Sequence, residues 1–191
     1  MASELTVQTL RGPTSGANAN TVLVPSSQTL HAPGHVIQVK QTYYQTQVIY
    51  NTNASFNGVT ELNCIITPKS ATSKIFVTIN FNYSCSNGGC GHGLSLDREV
   101  GGVNSSDIVR GLGGSIADFW VGVDNNFGQA NSGGLVMNSC GNFLDSPNTT
   151  SAITYKPKIY IASGASPIKM NRNNGGNLGA ASTLTLMEIA Q

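Results

Sequence analysis

The chain has 191 residues, a formal net charge of +1 and only 10% charged residues, against about 25% in a typical soluble domain. This length suits one sizeable domain with an additional arm. Because Lys and Arg are not clustered, neither nucleic acid nor an anionic membrane is an expected partner. There is no apolar run of about 18 residues and no signal-like N-terminus, so we expect a protein made in a cytosol that does not span a membrane.

The first 33 residues differ from the rest of the chain. They contain two short apolar segments, Leu5–Leu10 and Val22–Pro25, which we interpret as isolated strands. Gly12–Asn20 between them consists of Gly, Pro, Thr, Ser, Ala and Asn, which cannot build a core. Two strands are also too few for independent stability. We therefore predict that residues 1–33 form an extended attachment arm, held by neighbouring chains, and that residues 34–191 form a β-sandwich domain.

The strongest predicted element is a strand at Lys74–Tyr83. Its apolar and aromatic side chains recur at every second position, which is the period of a half-buried strand. The preceding Pro68–Ser73 contains proline and small polar residues, and it predicts a turn. Further strands are predicted at His35–Lys40, Gln45–Tyr50, Val59–Thr67, Leu94–Glu99, Leu135–Met137, Asn142–Leu144, Ile153–Ile161, Ile168–Met170 and Ser182–Ile189.

No amphipathic helical window of about 11 residues occurs, so the fold class is all-β, with a jelly-roll-like two-sheet sandwich as the favoured topology. Phe56–Gly58 is predicted as a turn, and the Gly- and Asn-rich region Gly101–Gly134 as loops around the apolar islands Ile108–Val109 and Phe119–Val123. We also expect a homotrimer, because strand faces such as Tyr155/Ile159/Ile161 and Leu184/Leu186 are predicted to exceed what one sandwich can bury.

A cysteine-rich stretch is the one candidate metal site. Cys85, Cys90 and His92 lie within eight residues, and two thiolates and an imidazole are zinc ligands. A fourth ligand is missing and the spacing of the two cysteines is wide, so a glycine-rich hairpin is the favoured interpretation. Because a cytosolic origin favours thiols, we expect the four cysteines to be buried or free thiols rather than disulfides, and we predict no bound metal or cofactor.

Catalytic patterns are weak. Asp97 and Glu99 share one strand face and resemble a glycosidase pair, but with Arg98, Asp107 and Arg110 nearby, solvated surface charges are the favoured interpretation. The three histidines are predicted in turns or at a strand start. No nucleophile elbow, zinc-protease motif or phosphate-binding loop with its lysine is present in the sequence. We therefore predict that the protein is not an enzyme.

Four stretches carry a resemblance to known proteins: Ser3–Asn18, Ile66–Ile75, Leu144–Tyr155 and Ala181–Ile189. They resemble a family of small virion structural proteins of tailed bacteriophages, common in phages of aquatic bacteria, including cyanobacteria. Members are often described as tail fibres, and related trimeric sandwiches decorate capsids. The resemblance implies a virion location, assembly in a bacterial cytoplasm and no catalytic residue, and it does not include the stretch Cys85–His92.

These observations predict a trimeric capsid cement, or decoration, protein that stabilises a phage head by bridging major capsid subunits through its arm. The alternative is a tail-fibre or spike head that binds a host-surface glycan through the loops between residues 101 and 134, with Trp120 as a stacking platform for sugar. A capsule-degrading enzyme is disfavoured, because neither a convincing acid pair nor a nucleophile is present.

Overall fold

The computed structural model describes residues 9, 11–19, 21–24, 32–51, 55–85, 91–109, 120–123, 136–162, 167–173 and 175–191. The chain divides into two compact units, Met1–Ala32 and Pro33–Gln191. Across the described ranges there is no helix that is long and apolar enough to cross a membrane.

The described residues of the second unit form β-strands and one short 3-10 helix, Thr60–Leu62, and their strand pairings are all antiparallel. The described strands are β1 (Val36–Tyr44), β2 (Val48–Tyr50), β3 (Ser55–Gly58), β4 (Cys64–Ile66), β5 (Lys74–Cys85), β6 (His92–Val100), β7 (Val103–Val109), β8 (Val121–Val123), β9 (Met137–Asp145), β10 (Ile153–Ile161), β11 (Ile168–Met170) and β12 (Ser182–Ile189).

The first sheet, sheet A, is organised around β5. Strand β9 pairs with one side of β5, while β12 and β11 pair with successive parts of its other side. Strands β1 and β2 then pair with β12 and β11. Each of the pairs β1/β2 and β11/β12 is therefore one long strand with an interruption, and sheet A has four strand positions.

The second sheet, sheet B, repeats this plan around β10 and β6, which pair along their full lengths. Strands β4 and β3 pair with successive parts of β10, and β7 and β8 pair with successive parts of β6. Sheet B therefore also has four strand positions, with β3/β4 and β7/β8 as its interrupted edge strands.

Counted in this way, the described part of the chain has eight strands, and it is wound as one long folded hairpin. The first pairs with the eighth, the second with the seventh, the third with the sixth and the fourth with the fifth. The first, third, sixth and eighth form sheet A and the other four form sheet B, which is the arrangement of a jelly roll. The predicted all-β, jelly-roll-like two-sheet sandwich is confirmed.

The core lies between the two sheets and follows the predicted period of two. Ile75, Val77 and Ile79 of β5 are fully buried, and their neighbours in sequence face outward. Tyr155, Ile159, Ile161, Leu184 and Leu186 are also fully buried. The prediction that these last five exceed what one sandwich can bury is therefore wrong, because the two sheets cover them completely.

Four local assignments differ from the prediction. Val103–Val109 is strand β7, although the region Gly101–Gly134 was predicted as loops. Phe56–Gly58 belongs to β3 rather than to a turn, because it pairs with β10. Thr60–Leu62, predicted as strand, forms the 3-10 helix between β3 and β4. The two strands predicted between residues 135 and 144 are one strand, β9, whose inward positions include the small or polar Ser139, Gly141 and Asp145 and therefore lack an apolar period.

The predicted turn at Pro68–Ser73 is present, and a buried carboxylate holds it. Glu188 is fully buried and its Oε1 accepts hydrogen bonds from the backbone N–H groups of Lys69 (2.7 Å) and Ser70 (3.3 Å). Its Oε2 accepts a third from the side-chain amide of Gln38 (2.6 Å). Three donors thus replace the water lost by the carboxylate.

The first unit contains consecutive turns. The N–H of Ala19 donates to the carbonyl of Gly16 and the N–H of Thr21 donates to that of Asn18, both at 3.1 Å. The predicted strand Val22–Pro25 is wrong in its described part, since residues 21–24 are exposed and form no strand. The predicted strand Leu5–Leu10 lies outside the described residues, except for Thr9.

Candidate interaction surface

The candidate metal ligands do not form a metal site among the described residues. Cys85 is disulfide-bonded, whereas Cys64 and Cys140 are free. The expectation of a thiol is therefore wrong for Cys85, and a disulfide sulfur does not supply the thiolate that zinc requires. Cys90 lies outside the described residues. No group of three or more His, Cys, Asp or Glu that could hold a metal occurs in the described ranges.

His92, the third candidate, begins β6 and is buried between the sheets. Its ring packs edge-on against Tyr83, with 4.2 Å between ring centroids, and its Nε2 lies 3.3 Å from the hydroxyl of Ser139. Burial raises the pKa of Tyr83, although its hydrogen bond with Ser139 acts in the opposite direction. These contacts assign His92 to packing between β5, β6 and β9.

Asp97 and Glu99 do share the outer face of sheet B, as predicted, but each is ion-paired with β10. Lys158 lies 2.7 Å from Asp97 and 3.0 Å from Asp107, and Lys156 pairs with Glu99. Burial disfavours the charged form of Lys158, but hydrogen bonds and charges from Asp97 and Asp107 outweigh it and raise the pKa of Lys158. The acidic and basic side chains on this outer face therefore largely neutralise one another within the sheet.

Trp120, the predicted sugar platform, packs across the edge of the sandwich between β8 and β9. Its indole N–H donates to the carbonyl of Asn142 (3.0 Å), and the ring packs partly buried against the core. Glycine is required at position 141, because a Cβ there would lie 2.7 Å from Val121 and 2.9 Å from Trp120. The other loop residues of the predicted glycan surface lie mostly outside the described ranges.

The outer face of sheet A differs from that of sheet B, which carries the ion pairs and also exposes Ile65 (59%) and Phe56 (37%). Paired residues of antiparallel strands lie on the same face, so the registers define transverse rows of side chains. One row is apolar across all four strand positions, and we call it the apolar row. Its members are Val39 of β1, Met187 of β12, Phe76 of β5 and Leu144 of β9.

The edge members of the apolar row are the most accessible. Val39 is 53% exposed and Leu144 is 47% exposed, while Met187 and Phe76 are half-buried. At the end of the sheet, Val36 and Ile189 are apolar, but Lys74, which is opposite Ile189 on β5, is charged. With strands about 4.8 Å apart, the row is roughly 14 Å wide.

The next two rows of this face are polar but uncharged. They consist of Gln41, Thr185, Thr78 and Asn142, and then of Tyr43, Thr183, Asn80 and Cys140. Together with the apolar row, twelve neighbouring side chains on the outer face of sheet A therefore include no Lys, Arg, Asp or Glu. Charged residues are depleted in the cores of protein interfaces. The face has the composition of a surface that another protein covers.

An internal ion pair that the sequence did not predict fixes sheet A to sheet B. Nη1 of Arg98 on β6 lies 2.8 Å from both carboxylate oxygens of Asp145 on β9. Asp145 also accepts a hydrogen bond from the hydroxyl of buried Tyr155 (2.7 Å). Burial raises the pKa of Tyr155, and the adjacent Asp145 adds to this effect. This cluster of Arg98, Asp145 and Tyr155 holds β9, an edge strand of sheet A, against the core.

No known protein family and no curated protein matches this chain. It is similar to chains in structures of infectious bursal disease virus. The Gt strain matches with 15% identity and a TM-score of 0.40, over 99% of this chain and 47% of that chain. Particles of T=1 symmetry derived from the virus match with 11% identity and a TM-score of 0.40, over 94% and 44%. The Gx strain matches with 12% identity and a TM-score of 0.37, over 81% and 36%.

The chain therefore spans less than half the length of these viral chains. At such TM-scores the similarity carries no argument about function. The jelly-roll assignment rests instead on the strand pairings of this chain.

Proposed function

We propose that this chain is a non-enzymatic structural protein of a virion, and that it assembles through the outer face of sheet A. The observation that carries the proposal is the uncharged face with its apolar row. On sheet B, acidic and basic side chains pair with each other and remain compatible with water. On sheet A, Val39 and Leu144 expose apolar surface to water. Burial of that surface against a second protein lowers the free energy.

The occupant that we propose for this face is another copy of the same chain, in a homotrimer. Copies related by closed symmetry cover the same surface on each subunit and leave no open-ended contact. Association also shields edge strands β1 and β9, which flank the face and would otherwise expose unpaired backbone groups. The resemblance to trimeric sandwiches that decorate capsids supports three copies.

The finer role that we propose is capsid cement on a tailed phage, assembled in the cytoplasm of its bacterial host. In this role the N-terminal unit attaches the trimer to neighbouring capsid subunits. Residues 1–33 could reach up to about 110 Å if fully extended. Exposed Val22, Leu23 and Val24 offer apolar side chains for that attachment.

Deletion of residues 1–33 tests this role. All described pairings of both sheets lie in the second unit, so the truncated chain should remain a folded trimer. It should no longer decorate heads, and undecorated heads should rupture at lower temperature while host adsorption is retained. Full decoration by the truncated chain would contradict the cement role.

A tail-fibre or spike head that binds a host glycan is the second candidate. A groove at one edge of sheet A, lined by Tyr43 and Arg172 among others, favours this role, whereas the contacts of Trp120 do not. Electron microscopy of labelled particles separates the two roles, since cement occurs in many copies on the head and a fibre in few copies at the tail. Loss of adsorption without weakening of the head would favour the fibre.

A further inference from the structure

A groove of 560 Å³ opens at one edge of sheet A, where the strand position shared by β1 and β2 is interrupted. This volume falls within the range of about 300–1,000 Å³ that is typical of small-molecule sites. One side is the connection between β1 and β2, and the other is the excursion between β11 and β12. The lining residues are Tyr43, Gln45, Thr46, Arg172, Gly179, Ala180 and Ala181.

A buried asparagine holds the two sides of the groove together. Asn171 is fully buried, and its side-chain Nδ2 donates to the carbonyls of Tyr44 (2.8 Å) and Thr46 (3.2 Å). Its Oδ1 accepts a hydrogen bond from the hydroxyl of Ser182 (2.7 Å). The backbone φ of Asn171 is 61°, a left-handed conformation that asparagine tolerates better than most residues. The groove is therefore preformed.

The excursion that carries Arg172 is itself ordered by backbone hydrogen bonds. Arg172 and Gly179 form an antiparallel bridge, and the N–H of Ala180 donates to the carbonyl of Asn171 (3.0 Å). The N–H of Asn173 donates to the carbonyl of Leu178 (3.0 Å). These contacts fix the Cα position of Arg172, so its guanidinium samples a limited volume at the groove.

The groove combines a cation, an aromatic face and neutral hydrogen-bonding groups. Arg172 donates from Nη1 to the carbonyl of Gly176 (3.2 Å), which uses one of its five N–H donors. Among the described residues that line the groove none is acidic, so no carboxylate in that part of the lining neutralises the guanidinium. Tyr43 is 58% exposed, and its hydroxyl donates to Oε1 of Gln45 (3.1 Å).

We propose that this groove binds a carboxylated sugar, a property beyond assembly that does not depend on the proposed structural role. The planar guanidinium of Arg172 matches a carboxylate with two parallel hydrogen bonds. The exposed ring of Tyr43 offers an apolar face to the C–H groups of a sugar ring, with a polar hydroxyl at its tip. The amide of Gln45 and the hydroxyl of Thr46 are suited to sugar hydroxyls.

Tyr43 lies on the outer face of sheet A together with the apolar row, but in a different row, at the β1 edge. Tyr43 lies four residues along β1 from Val39, which corresponds to about 13 Å at the rise of a strand. The two residues belong to rows separated by the uncharged row of Gln41. The groove therefore lies beside the apolar row rather than within it, and each site can be altered separately.

Saturation-transfer NMR on the full-length chain tests the proposal, with D-glucuronic acid and N-acetylneuraminic acid as probes and D-glucose as the neutral control. We expect transfer to both acids and little to glucose.

Arg172→Gln should weaken binding by about tenfold or more, because a charge-assisted contact is lost. Arg172→Lys should have an intermediate effect, since lysine keeps the charge without the planar fork. Tyr43→Ala should weaken binding and Tyr43→Phe should largely retain it.

Lys40→Gln is the matched control, since it removes a positive charge from β1 outside the groove lining and should leave binding unchanged. The thermal midpoint and mass of each variant report folding and assembly, so loss of sugar binding at normal mass leaves the structural role intact. Equal transfer to D-glucose would overturn the proposal. So would unchanged binding in Arg172→Gln, or displacement of the acids by inorganic phosphate at equal concentration, which indicates a general anion site.

Discussion

Val39 and Leu144 lie in the same transverse row of sheet A, although they belong to strands at its opposite edges. Val39 is opposite Met187, Met187 is opposite Phe76, and Phe76 is opposite Leu144. The row is thus assembled from four distant parts of the chain. Each strand contributes only one residue to this row, so the surface becomes recognisable only when the registers are known.

The ion pair between Arg98 and Asp145 should be a main tie between the sheets. Asp145→Asn leaves the guanidinium without its anionic partner at a site where Asp145 is only 8% exposed. We expect a loss of about 3 kcal/mol in the free energy of unfolding. Tyr155→Phe removes one hydrogen bond to the same carboxylate and should cost about 1 kcal/mol. Urea unfolding monitored by circular dichroism measures both, and equal stability of Asp145→Asn and the native chain would refute this role.

Glu188 should control the turn that precedes β5. Glu188→Ala removes the acceptor of two backbone N–H groups and of the Gln38 amide, and it leaves a cavity in the core. We expect destabilisation by about 3 kcal/mol, and faster hydrogen exchange at Lys69 and Ser70. Ser105→Ala, at an exposed position of β7, is the control and should change stability by less than about 0.5 kcal/mol. Unaltered exchange at the turn in Glu188→Ala would contradict the assignment.

Stability should fall at alkaline pH because of three tyrosines. Burial raises the pKa of Tyr50, Tyr83 and Tyr155, and contacts with Glu61 and Asp145 add to the shift for the first and third. Above pH of about 10 the unfolded chain loses these phenolic protons and the folded chain keeps them, so the folded state binds more protons. The free energy of unfolding is therefore fully retained below that pH and decreases above it.

Phenolate absorbance and urea midpoints measured across this pH range check the tyrosine prediction. The phenolate signal of these three side chains should appear only as the chain unfolds, and Tyr155→Phe should flatten the decrease in stability with pH. Ionisation of all six tyrosines in the folded chain would contradict it.

Sequence periodicity predicted the fold well wherever a strand buries one face with large apolar residues. The bounds of β10, β11 and β12 are those predicted. Periodicity did not predict β9 as one strand, because its inward Ser139 and Asp145 serve a hydrogen bond and an ion pair. It did not predict β3, because that strand is as short as a turn. The acidic pair Asp97 and Glu99 does share one strand face, but Asp97 is buried and ion-paired rather than a solvated surface charge.

The interaction surface could not be predicted from sequence, for a physical reason. Phe76 and Met187 sit at outward positions of their strands, where single apolar residues are common and carry no signal. Only the pairing of four strands brings them into one row. Glu188 and Arg98 were missed for the same reason, since the donors and acceptors that satisfy them come from distant segments.

Cysteine labelling offers a direct view of the outer face of sheet A. Cys140 is a free, exposed thiol on this face, whereas Cys64 is a free, buried thiol. In an assembled trimer, we expect Cys140 to react with maleimide more slowly than in the Leu144→Lys variant, because the partner copies cover the face. Cys64 should stay unreactive in both until the chain unfolds. Equal rates for Cys140 in the two proteins would show that this face remains open.

The mass of the protein in solution tests the central claim most directly. Light scattering at micromolar concentration should give three times the 19.9 kDa mass of one chain for the native protein. Leu144→Lys places a charge in the apolar row and should yield folded monomers. Val103→Lys is the matched control, because Val103 is 71% exposed on β7 of sheet B and should keep the trimer. A stable native monomer, or an unchanged trimer in Leu144→Lys, would contradict the account.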